Sequence, residues 1–204
     1  MKRSLMKMGL VAALLASSAC VSVLPEQKVP DALYEITARG PQKSINSIVV
    51  VREPEAARLV SGRSIATETS DGAFMLLSGV EWAERSTRMI QMALLDSFER
   101  SAEGAVLDDG AGVSGDYELS WRLAEFTTLS DAGRCRIELT LLDGGDRSVV
   151  AAQSVVVEKP ATGSEPVART RALAEAASDC VRQSADFVSA NAVAKTGNDD
   201  VIDD

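Results

Sequence analysis

Two stretches in the second half of the chain alternate apolar and polar residues with a period of two, which is typical of β-strands with one buried and one wet face. Their apolar positions are Tyr117, Leu119, Trp121 and Leu123, then Cys135, Ile137, Leu139 and Leu141. Glycine-bearing turns are expected at Ser130–Gly133 and Asp143–Asp146, and Ser148–Val157 follows as a strand that is apolar on both faces. The pattern predicts an antiparallel meander of three strands.

Two other segments carry apolar residues at the helical period. The first is Val80–Ser101, which places Trp82, Met89 and Ile90 on one half of the helical wheel and charged residues on the other. It predicts a helix over Val80–Ser101. The second is Pro166–Ala190, whose apolar stripe comprises Leu173, Ala176, Ala177, Cys180, Ser184, Phe187 and Val188.

The first half of the chain contains shorter elements. Ser64–Leu77 is predicted to be extended with a turn at Ser70–Gly72, and Pro54–Leu59 to form one helical turn, because proline is tolerated at a helix start. The fold class is therefore α/β (α+β): a single domain with a mixed sheet, an antiparallel C-terminal meander and two main amphipathic helices. Further strands, rich in apolar residues, are predicted at Leu33–Ile36, Ile45–Val51 and Ala105–Leu107.

The beginning of the chain has the composition of a secretory signal. Basic residues precede the apolar run Met8–Ala16, which is too short to span a bilayer comfortably, and Ser17–Cys20 closes it. A cysteine directly after small residues predicts a lipoprotein signal, in which Cys20 becomes the acylated first residue of the mature protein. The alternative is an ordinary signal peptide with an unrelated cysteine at this place.

Lipidation would place the mature protein on a membrane and outside the cytoplasm. Val21 is not the aspartate that commonly retains lipoproteins at the inner membrane, so we expect the periplasmic face of the outer membrane. The chain then divides into a signal peptide at 1–19, the lipidated cysteine and a tether at 20–32, a folded domain at 33–190 and an acidic disordered tail at 191–204.

Composition excludes several classes of function. The net charge of −9 becomes −12 once the three basic residues of the signal are removed, and this acidity disfavours nucleic acid as a partner. The sequence contains no histidine, which excludes Ser-His and Cys-His catalysis and every histidine-containing metal site. The acidic pairs Asp108-Asp109 and Asp143–Asp146 lack the spacing of a calcium loop and are interpreted as turn residues. We therefore expect no enzyme activity, no cofactor and no metal.

Two cysteines remain in the mature protein besides Cys20. Cys135 lies on the apolar face of a predicted strand and Cys180 on the apolar face of the last predicted helix. If that helix covers the meander, both sulfur atoms face the same layer, and an oxidising compartment would favour a disulfide between them. The alternative is two buried, unpaired thiols.

One apolar run has a possible role in binding. Phe74-Met75-Leu76-Leu77 follows the predicted turn at Asp71-Gly72 and leads towards Trp82. Aromatic and aliphatic groups next to a turn make good anchors at an interface, so these residues are predicted to contact lipid or a protein partner. The alternative is that they are part of the core, as a strand and the anchor of a helix.

The order of elements resembles the ABC-type transport auxiliary lipoprotein family. The resemblance spans about Leu33 to Ala190 and is carried by Cys20 with its tether and by the alanine-rich last helix. Further matching positions are Tyr34 in the first strand, the strand Ile48–Pro54 that ends in proline, Arg63 with Ile65, and Trp82-Ala83.

The resemblance implies a non-enzymatic lipoprotein with a mixed sheet packed by helices. It also implies partners: a mammalian-cell-entry (MCE) protein and an ABC permease with its ATPase. Such systems, including the paraquat-inducible type, move phospholipids or other hydrophobic molecules between membranes. The alternative is a structural or envelope-assembly lipoprotein that partners an outer-membrane protein and has no transported substrate.

Overall fold

The computed structural model of the protein describes residues 29–195. The predicted signal peptide, Cys20, residues 21–28 of the tether and residues 196–204 of the tail lie outside this range. A short 3₁₀ turn at Asp109–Ala111 precedes the meander. The elements in chain order are β1 (Ala32–Tyr34), β2 (Ile48–Val51), β3 (Glu55–Ala56), β4 (Ser64–Glu68), β5 (Phe74–Trp82), α1 (Ser86–Leu95), β6 (Ala105–Asp108), β7 (Tyr117–Thr128), β8 (Ala132–Asp143), β9 (Val149–Pro160) and α2 (Pro166–Asn191).

Strand β7 is the centre of one nine-stranded mixed sheet. One of its edges pairs with β8, which pairs with β9, and both pairings are antiparallel, so the predicted meander is confirmed. Along its other edge β7 pairs in turn with β2, β3 and β4, all parallel. Strand β6 joins β2 in parallel, β5 joins β4 antiparallel, and β1 joins β5 in parallel. With its two α-helices, this single domain has the predicted mixed fold class.

Helix α2 covers the inner face of the meander. It begins at Pro166, where the missing N–H of proline costs no hydrogen bond, and all seven residues of the predicted apolar stripe are buried. Small residues allow the helix to lie close to the strands. At Gly133 the approach is so close that an added Cβ would lie 2.2 Å from the backbone nitrogen of Leu173.

The outer face of the meander is wet, as its alternation predicts. Arginines and glutamates on neighbouring strands form ion pairs across this face. Arg136 lies 3.0 Å from Glu125, and Arg134 lies 2.9 Å from Glu158. Ion pairs this exposed contribute little stability individually. The apolar residues of β7 and β8 are buried on the opposite face, so the core lies between the sheet and α2.

The predicted helix at Val80–Ser101 is wrong at both ends. Residues up to Trp82 belong to β5, and the helix occupies only Ser86–Leu95. Val80, Glu81 and Trp82 also alternate as a strand does, and their pairing with β1 decides between the two patterns. After Leu95 the chain turns back, and Glu99 donates its N–H to the carbonyl of Lys43 at 2.9 Å.

The helical turn predicted at Pro54–Leu59 is also wrong. Residues Glu55 and Ala56 form the short strand β3, which pairs with Arg122 and Leu123 of β7. A turn follows, in which Val60 donates its N–H to the carbonyl of Ala57 at 2.9 Å. Proline is tolerated at the start of a strand as well as at the start of a helix. Pro54 therefore did not distinguish a strand from a helical turn.

The residues after α2 lie against the body of the protein. Tyr117 donates its hydroxyl proton to the carbonyl of Val193 at 2.9 Å, and Lys195 lies 2.7 Å from a carboxylate oxygen of Asp143. Residues 192–195, which the sequence analysis placed in the disordered tail, are therefore held in place. Their contacts are with residues far away along the chain, which local composition does not reveal.

Candidate functional site

Hairpin β4–β5 presents three adjacent apolar side chains to solvent. Phe74, Met75 and Leu76 are 52%, 60% and 52% exposed, and Leu77 is half-buried. We call Phe74–Leu77 the apolar lip. Single exposed apolar residues are normal on protein surfaces, whereas a contiguous group such as this one is a candidate contact surface. The alternative prediction, that this stretch belongs to the core, does not hold for its first three residues.

Strand pairing explains why the lip is exposed. Strand β4 pairs with one edge of β5, with Glu68 opposite Phe74 and Ala66 opposite Leu76. On the other edge, β1 pairs only with Val80–Trp82. Within residues 29–195, the second edge of the lip therefore has no neighbouring strand, and side chains on both faces of this part of β5 meet solvent.

The turn that carries the lip is tightly built. Thr69 donates its backbone N–H to the carbonyl of Ala73 at 2.8 Å, and its hydroxyl proton to the carboxylate of Asp71. Gly72 has a φ of +81°, which L-residues rarely adopt. The hydrogen bond from the Thr69 hydroxyl, helped by backbone N–H groups, lowers the pKa of Asp71, so the tip carries a negative charge. The predicted turn at Ser70–Gly72 is confirmed, and it holds the lip in one position.

A cavity of about 400 Å³ opens beside the lip. Arg134 lies at its rim, but its guanidinium group is already paired with Glu158 at 2.9 Å, which raises the pKa of Arg134. The cavity therefore suits an apolar group better than a free anion. Its lining includes Leu59, Val60, Phe74, Phe126, Glu68 and Glu125.

Trp82 is a core residue and not part of the exposed surface. It is 1% exposed, and its ring stacks on Phe126 with centroids 5.3 Å apart. The predicted contact at Trp82 is therefore corrected: the core alternative applies to this residue. It anchors the end of β5 that pairs with β1, and the lip lies at the other end of the same strand.

The structure brings Cys135 and Cys180 together. Both are free thiols and fully buried, and the Cys180 thiol donates to the carbonyl oxygen of Cys135 at 3.2 Å. Burial, and next the hydrogen bond with the Cys180 thiol, raise the pKa of Cys135 well above its ordinary value. Because the thiolate is the reactive form, the folded protein shields both groups from reagents.

We expect the two cysteines to be joined by a disulfide in protein isolated from an oxidising compartment, because helix α2 holds them in contact. A bridge between residues 45 apart in sequence contributes about 3–4 kcal/mol to stability. Unreduced, denatured protein should then take up no alkylating reagent at these positions, as measured by intact mass. In Cys180→Ala, Cys135 should become alkylated. Alkylation of both thiols without a reducing agent would contradict the bridge.

The acidic turns bind neighbouring parts of the chain. Asp143 accepts a hydrogen bond from the N–H of Gly145 at 2.8 Å, and Asp146 accepts one from Ser148 at 2.9 Å. These contacts are the usual way in which aspartates close turns. In the part of the chain that the structure describes, no group of three or more His, Cys, Asp or Glu side chains is arranged to hold a metal ion.

The sequence pattern did not reveal the cavity or, apart from Phe74, the residues that line it. A β-bulge between Leu123 and Glu125 shifts the alternation of β7, so that Phe126 becomes the next inward residue. The signal was present: the apolar spacing grows from two to three residues between Leu123 and Phe126. Leu59, by contrast, gave no signal, because its position depends on the misassigned segment at Pro54–Leu59.

Cys20, the predicted lipidation site, lies outside the described residues, so its acylation stays a prediction. Within residues 29–195, neither α-helix is long and apolar enough to cross a membrane.

Solved structures with a similar fold include two crystal structures. A protein from Xanthomonas campestris, placed in the family DUF330, has a TM-score of 0.66 and 22% identity, over 80% of this chain and 95% of that one. The structure of an uncharacterized protein has a TM-score of 0.58 and 15% identity, over 76% of this chain and 100% of that one. At these identities the similarity shows the fold alone.

The sequence itself matches a family model. The model describes the ABC-type transport auxiliary lipoprotein component and matches residues 33–189, from within β1 to near the end of α2. No match was found among curated proteins. The match covers almost all of the folded body, and it confirms the family expected from the resemblance. The chain belongs to the family of ABC-type transport auxiliary lipoprotein components.

Proposed function

We propose that this protein is the non-catalytic auxiliary subunit of an ABC/MCE-type system that transports phospholipids or other hydrophobic molecules. It is anchored through acyl chains on Cys20 to the periplasmic face of the outer membrane. Its partners are an MCE-family protein and an ABC permease with its ATPase. The observation that carries the proposal is the family match over residues 33–189, whose description makes the protein an auxiliary lipoprotein of ABC transport.

The absence of catalysis in this proposal follows from the family's description as an auxiliary component and from side-chain chemistry. The sequence has no histidine to act as a general base at neutral pH. Several carboxylates that could replace it are held in ion pairs; Glu118, for example, lies 2.6 Å from Arg52 and 2.7 Å from Arg147. The hydrogen bond from Arg147 lowers the pKa of Glu118 and makes it a weaker base.

The short reach of the tether supports a partner from the inner membrane. The twelve residues Val21–Ala32 span at most about 40 Å when fully extended. The anchored body therefore stays close to its own membrane and cannot carry a hydrophobic molecule across the periplasm alone. A longer protein that arrives from the other membrane, such as an MCE assembly, would complete the path.

Deletion of the gene tests the proposal. We expect the deletion to change the distribution of phospholipids between the membranes and to increase detergent sensitivity, and wild-type protein to restore both. Chemical crosslinking in intact cells, followed by purification of the protein, should capture the MCE protein. An adjacent permease, ATPase and MCE gene would agree with the proposal.

Unchanged phenotypes in the deletion strain would contradict the transport role. If lipid distribution and detergent sensitivity do not change, and crosslinking captures only unrelated envelope proteins, the transport role is excluded. The protein would then be a structural or envelope-assembly lipoprotein that partners an outer-membrane protein.

A further inference from the structure

The polypeptide reaches the folded body beside the apolar lip. Strand β1 runs parallel to β5, with Ala32 opposite Val80, and Asp31 donates its N–H to the carbonyl of Gly79 at 2.8 Å. Followed backwards from Ala32, the chain therefore leaves the sheet in the direction that leads from Val80 to Phe74. The lip and residues 29–31, which precede β1, lie at the same end of the sheet.

The distances involved are short. Gly79, opposite Asp31, is two to five residues from the lip along β5, which corresponds to about 7–17 Å. Cys20 and Asp31 are eleven positions apart, so the chain between them reaches at most about 40 Å. Acyl chains on Cys20 would therefore keep the lip within a few tens of ångströms of the bilayer, where its effective concentration at the lipid surface is high.

The β8–β9 turn lies at the other end of the sheet. Strand β4 is parallel to β7, with Thr67 opposite Thr128, so the turn before the lip lies where β7 ends. Strand β8 returns antiparallel and reaches Asp143 opposite Tyr117, at the beginning of β7. Strand β7 has twelve residues and is about 40 Å long, so the lip and the β8–β9 turn are separated by the length of the sheet.

We infer that the apolar lip inserts into the surface of the membrane that holds the acyl chains of Cys20, and that it fixes the orientation of the folded body on that membrane. The inference rests on the proposed lipidation of Cys20. Exposed aromatic and aliphatic side chains on a rigid turn are suited to the boundary between headgroups and acyl chains. The unpaired edge of β5 is acceptable there, because this boundary is hydrated.

Charge next to the lip specifies the kind of lipid. Glu68 lies opposite Phe74 in the hairpin, and Asp71 carries a negative charge at the tip. Anionic headgroups would be repelled by these carboxylates, whereas zwitterionic headgroups would not. We therefore expect the lip to insert more readily into bilayers of phosphatidylethanolamine and phosphatidylcholine than into bilayers rich in phosphatidylglycerol, with the difference reduced by salt.

A pair of labelled variants tests the orientation. Met75→Cys places a thiol in the lip, and Val149→Cys places one at a similarly exposed position, 63% against 60%, at the other end of the sheet. Cys135 and Cys180 are fully buried, so a thiol-reactive NBD dye attaches to the introduced cysteine in the folded protein. Each full-length lipidated variant is reconstituted in phosphatidylethanolamine–phosphatidylcholine vesicles, and intact mass establishes acylation.

The expected result is a blue shift and a gain in intensity for the dye at position 75, with quenching by lipids that carry a spin label near the headgroup. The dye at position 149 should keep its aqueous spectrum. Phosphatidylglycerol should reduce the response at position 75. If the dyes at positions 75 and 149 both keep aqueous spectra in an acylated protein, lip insertion is overturned but lipidation of Cys20 is not. A mature protein without acyl groups would overturn the proposed lipid anchor as well.

A photocrosslinker at position 75 in living cells distinguishes lipid from protein. Crosslinks to phospholipid would support the inference. Crosslinks mainly to a protein of the transport system would overturn it, and would make the lip a protein-binding surface without affecting the proposed transport function.

Discussion

Replacing Gly133 by alanine is expected to lower the free energy of unfolding by about 3 kcal/mol or more, the upper part of the range for atoms forced into a packed core. The new Cβ would lie 2.2 Å from the backbone nitrogen of Leu173, 2.3 Å from its Cα and 2.6 Å from the carbonyl carbon of Ala172. These are backbone atoms of α2 and cannot rotate away. The helix must therefore move off the meander, and the core contacts along its stripe weaken together.

Denaturant unfolding of the purified protein measures this effect, and a second glycine provides the control. Gly62 also lacks a positive φ, but a Cβ built on it has no neighbour within 4 Å. Gly62→Ala should change stability by less than about 0.5 kcal/mol, as most surface substitutions do. Equal stability of the two variants would mean that α2 does not approach β8 as closely as the structure shows.

Replacing Cys20 by alanine is expected to remove the protein almost completely from the membrane fraction or to leave it as an uncleaved precursor. Each acyl chain contributes about 0.8 kcal/mol per buried CH₂ group, and stable anchoring needs more than one chain. The apolar lip alone is too small to replace that anchor. Fractionation of cells, followed by intact mass of the mature chain, measures the change.

The control for this variant removes a thiol from the folded body. Cys135→Ala should leave the protein in the membrane fraction with an acylated Cys20, because Cys135 is fully buried and does not meet lipid. A wild-type protein with an unmodified N-terminus other than Cys20 would contradict the lipoprotein signal. A membrane-bound Cys20→Ala protein with its signal removed would show that another part of the chain supplies the anchor.

The meander and α2 could be predicted from sequence because their patterns are local. Each strand of the meander joins its neighbour through a short turn, and the alternation of Cys135, Ile137, Leu139 and Leu141 defines the buried face. The stripe of α2 repeats at the helical period over 26 residues. In both cases one stretch of sequence contains the signal that decides the structure.

The wrong predictions in the first half of the chain concern segments whose secondary structure is decided by pairing with strands far away in the sequence. Residues Val80–Trp82 fit a helix and a strand equally well, and the partner that selects the strand is Ala32–Tyr34, nearly fifty residues earlier. Glu55 and Ala56 become a strand only because β7 offers a free edge at Arg122 and Leu123. Neither partner is visible within a local window.

The candidate surface could be predicted only in part. An apolar run after a turn indicated Phe74–Leu77, but whether such a run is buried depends on how far the neighbouring strand extends. Strand β1 begins at Ala32, opposite Val80, and pairs only with the end of β5. The lip therefore has no neighbour on this edge and is exposed, whereas Trp82 lies in the paired part and is buried. The cavity next to the lip depends on the bulge in β7, which combines with residues from four other segments.

The position of Lys195 against Asp143 has a practical consequence for fusion proteins. Lys195 lies beside the β8–β9 turn, about 40 Å along the sheet from the lip, and nine residues follow it in the sequence, including Asp199, Asp200, Asp203 and Asp204. If the lip inserts into the membrane as inferred, a fluorescent reporter fused after Asp204 would be attached at the end of the sheet that faces away from the bilayer. Under the same inference, a tag inserted between Cys20 and Val29 would lengthen the tether and let the lip move farther from the membrane.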